Sequence, residues 1–149
     1  MYLDDKETYL GTREHRKITI VFRSLSDDAV GVCKITPFIK REINIDPEYW
    51  YSINPAERQI LFYHEMGHCD LNRDHSEPYS IMEPSLFGTF RFLNNKEYYL
   101  KEFFGLIPLE SSLKVRYSTK IGGQDGEGTN NTCGTNWGRE DNIFQNFGE

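Results

Sequence analysis

Apolar and polar positions follow a pattern in five stretches between Lys17 and Phe104, and the pattern is lost beyond Tyr117. Lys17-Ile18-Thr19-Ile20-Val21-Phe22-Arg23 is β-branched and aromatic and predicts a strand. A second strand is expected over Val30-Gly31-Val32-Cys33-Lys34-Ile35, interrupted by its glycine. Arg41 to Asp46 alternates polar and apolar residues, as a strand with one buried face does, and Asp46-Pro47 closes it. The spacing then becomes helical. Asn54 suits an N-cap, Pro55 the first helical position and Glu57 the third. Ile60, Leu61, His64, Met66 and His68 share the buried side of this helix, which is expected to run to about Leu71 and stop at Asn72. Ser85 to Phe92 predicts an aromatic-rich loop, and Asn95 to Phe104 a second helix with Gly105 as its stop. Residues 1–15 are polar and weakly patterned. The order of elements predicts one α+β domain over 1–117. Residues 118–149 hold seven of the chain's 12 glycines and predict a flexible tail or irregular extension, with Trp137, Phe144 and Phe147 as side chains that can dock.

The main helix carries candidate chemistry. His64-Glu65-Met66-Gly67-His68 sets two imidazoles four positions apart, on one helical face, so that both can reach one ion. Two imidazoles make half of a zinc site. A catalytic zinc needs a third protein ligand and one open position for water. Glu65 points towards the same cavity without being a ligand, which suits a general base. HExxH also arises by chance in surface helices, so the residues downstream decide its weight.

Downstream lie His75-Ser76 and Ser80-Ile81-Met82-Glu83-Pro84. With them, the stretch His64 to Pro84 resembles the metzincin family of zinc peptidases, whose signature is HExxHxxGxxH followed by a methionine-containing turn. The echo is matrix-metalloproteinase-like, with Ser after the last ligand and a Met-x-Pro turn. The resemblance implies a small twisted sheet packed on an active-site helix, with a C-terminal helix after the Met-turn. It also implies Zn2+ as cofactor, Glu65 as the catalytic base, and hydrolysis of a protein or peptide substrate, as an endopeptidase. Met82 would pack beneath the metal without ligating it. Pro84 stands where some members carry a metal-reaching tyrosine, and Tyr79 is the nearest other phenol.

The third ligand departs from the family spacing. Six residues after His68 stands Asp74, and His75 stands seven after. With His75 as ligand, Asn72 takes the place of the family glycine. Asn is the non-glycine residue that best tolerates a left-handed turn. With Asp74 as ligand, Leu71 takes that place, which suits a branched apolar residue badly. The reading therefore favours His64, His68 and His75, with Asp74 as the alternative. A gluzincin arrangement, with Glu97 or Glu102 as third ligand, lacks its expected sequence setting. A long backing helix near the first strand is also expected from the resemblance. No pattern for it appears between Phe22 and Val30, which leaves residues 2–14 as a candidate remnant.

Composition narrows the partners. A net charge of −6 argues against nucleic acid, because phosphate contacts need clustered Lys and Arg. No window approaches the length of a membrane span. The start, Met1 to Lys6, has no signal-peptide pattern, so the chain is either cytosolic or a trimmed form, with a secreted or periplasmic setting favoured in the second case. Of the three cysteines, Cys33 and Cys69 are candidates for a disulfide or for two separate buried thiols, while Cys133 lies in the glycine-rich region. The competing function is a catalytically silent binding module whose zinc is structural. Glu65 argues against it, since a structural site has no use for a base.

Overall fold

The structure is a computed structural model that describes residues 1–26, 29–36, 40–76, 79–85, 88–108 and 134–136. Its architecture is mixed α+β. The elements run α1 (Tyr2–Leu10), β1 (Ile18–Phe22), β2 (Ala29–Thr36), β3 (Lys40–Ile45), α2 (Pro47–Ser52), α3 (Pro55–Cys69), α4 (Thr89–Asn94), α5 (Lys96–Phe103) and β4 (Gly134–Asn136). The sheet order is β1-β3-β2, which the short β4 extends beyond β2. β1 pairs parallel with β3, and β2 pairs antiparallel with β3. β3 therefore lies inside the sheet, with a strand on each side. β2 has its outer side against Gly134–Asn136, with Ala29 opposite Asn136 and Val32 opposite Gly134. The remainder of the 118–149 tail lies outside the described residues, Cys133, Trp137, Phe144 and Phe147 included.

One face of this sheet packs on α3. In register, Ile43 stands opposite Cys33 and Ile45 opposite Gly31, and both isoleucines are fully buried with Ile60 and Leu61. Cys33 and Cys69 form a disulfide that ties β2 to the end of α3. Closing a loop over a sequence separation of 36 contributes about 4 kcal/mol in the chain-entropy view. The start of α3 follows its sequence: Asn54 Oδ1 accepts from the Ala56 and Glu57 N–H groups, and Glu57 accepts from the Asn54 N–H.

Three helical pieces have no hydrophobic period to announce them, although the first falls within residues 2–14, where the resemblance left room for a helix. Tyr2–Leu10 is helical within the weakly patterned start, Pro47–Ser52 continues where Asp46 was expected only to close a strand, and Thr89–Asn94 replaces part of the expected aromatic loop. Each is anchored by tertiary contact or a cap rather than by periodicity. Asp46 caps α2 by accepting from Tyr49 N–H, and Phe92 of α4 is fully buried. In α1, Tyr2 and Lys6 are buried because both reach Asp70 beyond the end of α3.

Asp70 is a junction. Its carboxylate accepts from Tyr2 Oη at 2.7 Å, Lys6 Nζ at 2.7 Å and the Arg16 backbone N–H at 2.9 Å, while Arg16 Nε donates to its carbonyl. Burial raises the Asp70 pKa, but these donors outweigh it and hold the carboxyl below its ordinary value. With the folded-state pKa depressed, its contribution is present above the unfolded value near 4 and is lost as pH falls through the folded value. Removing one partner of a buried pair leaves the other uncompensated, at a cost on the order of 3 kcal/mol. Asp70→Asn is therefore expected to be less stable at pH 7 and to show a flatter acid limb in urea unfolding between pH 3 and 7. Equal acid slopes for both proteins would contradict this role.

Candidate metal centre

The second half of α3, Tyr63 to Cys69, is buried at every position. A helix buried all round needs partners on several sides. The sheet supplies one side, and the segment Ser80–Met82 with Phe103 supplies the other. Two glycine contacts show how close these approaches are. A Cβ on Gly31 of β2 would lie 2.6 Å from Glu65 Oε1, so the strand clears room for the carboxylate. A Cβ on Gly67 would lie 2.3 Å from Met82 Sδ and 3.0 Å from Phe103. Met82 thus packs flat against the helix between the two histidine turns.

The chain leaves α3 through a left-handed residue. Asn72 has φ 54°, and among the described residues the other non-glycine positive φ is at Tyr79, 77°. Arg41 steadies the exit by donating to the Cys69 carbonyl at 2.6 Å and to Asn72 Oδ1 at 2.8 Å. The turn sends Arg73 to His75 back beside the helix, and Ser76 N–H donates to the Met82 carbonyl at 2.9 Å.

His64, His68 and His75 come together, with their ligand atoms all within 4.8 Å of one another. His68 Nε2 lies 3.0 Å from His64 Nε2, which lies 3.3 Å from His75 Nε2. Asp74, Glu97 and Glu102 do not belong to this group. Glu97 pairs with Lys101, and Glu102 with Arg73 and Ser80. Tyr79 lies with its ring under Arg91, at 4.5 Å. His15 is exposed, at the far end of the polar start.

Hydrogen bonding fixes which nitrogens face the cluster. His64 Nδ1 lies 2.7 Å from the Ile81 carbonyl, and His68 Nδ1 lies 2.7 Å from the Arg73 carbonyl. A carbonyl has no proton to give, so both Nδ1 atoms carry one and donate. In a neutral ring, Nε2 is then a bare lone pair. Burial, then the charge of His68, pushes His64 down to about 3 against the opposing effect of the Ile81 carbonyl. Burial lowers His68 and His75 as well. Neutral rings are the ligating form.

The His64 and His68 lone pairs face each other at 3.0 Å and repel, and a cation between them removes that repulsion. Nitrogens about 2.0–2.1 Å from an ion at tetrahedral angles stand about 3.3 Å apart. Ligating histidines also characteristically donate their other N–H to a carbonyl. The donor set fits a divalent ion, and this group could hold one.

Glu65, the carboxylate between the two helix histidines, is fully buried beside Gly31. Sequence reasoning named these residues but not the roles of Arg73, Ser80 and Gly31, which hold the site's backbone and leave it space. The signal for Gly31 was the glycine inside a strand pattern. No family model, curated protein or solved structure matches the chain. What the site does therefore rests on its own residues.

Gly67→Ala is expected to cost about 1–3 kcal/mol, because its methyl must displace Met82 or Phe103. Thermal unfolding measures this directly. An unshifted Tm would show that Met82 yields freely and does not form a fixed floor.

Proposed function

We propose that this chain is a zinc-dependent peptidase of metzincin type, with Glu65 as general base. The observation that carries the reading is the convergence of three histidine side chains beside a buried glutamate that is not part of the ligand group. The Asn72 turn supports it, because a left-handed residue there brings His75 rather than Asp74 to the other two rings.

His64, His68 and His75 would hold the ion through ring nitrogens. Zinc so held would supply a Lewis acid to polarise a peptide carbonyl and to make a water more acidic. Glu65 takes the proton of the attacking water and delivers it to the leaving amine nitrogen. Gly31 leaves room for the carboxylate against β2. An extended peptide pairing along the outer edge of β2 would present its backbone next to Glu65, with affinity from main-chain hydrogen bonds. Gly134–Asn136 lies on that edge, so a substrate strand would have to displace it. Proteins and peptides are the substrate class, and the Cys33–Cys69 bridge fits an oxidising compartment such as the cell exterior or periplasm. No helix among the described residues is long and apolar enough to cross a membrane.

Glu65→Gln keeps the size of the side chain and removes the base. Hydrolysis of a mixed peptide library is expected to fall by at least about 100-fold while zinc affinity changes little. Full activity in Glu65→Gln would end this mechanism. A wild-type chain that binds zinc and cleaves nothing in the library would favour the silent binding module instead.

A further inference from the structure

Glu102 of α5 lies outside the histidine group, yet both hydrogen-bonded supports of the helix histidines lead to it. The residue is 4% exposed, and its two carboxylate oxygens divide between two segments. Oε1 accepts from Arg73 Nη2 at 2.7 Å. Arg73 also donates from Nη1 to the Glu102 and Phe103 carbonyls, at 3.0 and 2.6 Å. The Arg73 carbonyl is the acceptor of the His68 ring N–H.

Oε2 accepts from Ser80 Oγ at 2.8 Å, and Ser80 Oγ in turn accepts from the Met82 N–H at 3.0 Å. Between those two residues sits Ile81, whose carbonyl is the acceptor of the His64 ring N–H. Ser80, Ile81 and Met82 are all fully buried. One carboxylate therefore braces, through Arg73 and Ser80, the two separate segments that carry these carbonyls. Those carbonyls fix the tautomer and direction of two rings.

We propose that Glu102 is the positioning residue of the metal centre. It acts through Arg73 on His68 and through Ser80 on His64, and it touches neither ring nor ion. This rests on the metal-site reading above. Outer partners of ligating histidines are worth about 10- to 100-fold in metal affinity. A packing role for Glu102 would alter stability without selecting a ring tautomer. The arms are also separable: Ser80→Ala cuts only the one that leads to His64.

The test uses the full chain and two readouts. Long-range 1H–15N correlation on metal-free protein reports the ring tautomers, and competition with a chromogenic chelator reports zinc affinity. In Glu102→Gln, His64 and His68 are expected to sample both tautomers, and zinc affinity to fall 10- to 100-fold. In Ser80→Ala, His64 is expected to lose its fixed tautomer while His68 keeps it, which global loosening would not produce. If Glu102→Gln does not fold, Ser80→Ala carries the test alone. A folded Glu102→Gln with wild-type tautomers and affinity within threefold overturns the proposal. So does a Ser80→Ala in which both rings change alike or neither changes. A wild-type chain that binds no zinc overturns the metal reading, and the tautomers still decide whether Glu102 positions the rings.

Discussion

Two ring N–H groups donating to two backbone carbonyls constrain everything around the histidine cluster. Each bond removes one tautomer and so turns a lone pair inward, and the His64 and His68 lone pairs meet at 3.0 Å. Such an arrangement of neutral donors is costly in an apolar interior unless something positive is shared among them. The surrounding fold supplies the rigidity to maintain it. A disulfide fastens α3 to β2, Asp70 fastens α1 and the Arg16 backbone to the end of α3, and Glu102 fastens the two carbonyl-bearing loops to α5.

The same constraint explains the two glycines on facing elements. Gly67 lets Met82 approach the helix between the histidine turns, and Gly31 lets Glu65 lie against the sheet. A Cβ at either place would overlap its neighbour by about 1 Å, so that Met82 or Phe103 beside Gly67, and Glu65 or Leu61 beside Gly31, would have to shift. Close packing is thus the condition under which the polar group works, since interiors transmit small displacements rather than absorb them.

Much of this was legible in the sequence for particular physical reasons. Asn54, Pro55 and Glu57 encode the helix start locally, and helical spacing alone puts His64 and His68 together. The choice of His75 over Asp74 followed from the backbone tolerance of Asn72, whose φ of 54° is the conformation that argument required. Cys33 and Cys69 left two readings open, and the structure joins them. What stayed hidden depends on contacts distant in sequence. Tyr2 and Lys6 become buried only through Asp70, so α1 has no amphipathic stripe to announce it. Glu102 looks like an ordinary helix glutamate until Arg73 and Ser80 reach it from two loops. The pairing of Gly134–Asn136 with β2 has no hydrophobic period to predict it.

The central claim is that three histidines, and not Asp74, hold one zinc. Elemental analysis of the purified chain beside His75→Ala and Asp74→Ala tests it most directly. The account predicts about one zinc per wild-type chain, retained in Asp74→Ala and lost or greatly weakened in His75→Ala. A wild-type chain without zinc under non-chelating conditions, or loss confined to Asp74→Ala, would contradict it.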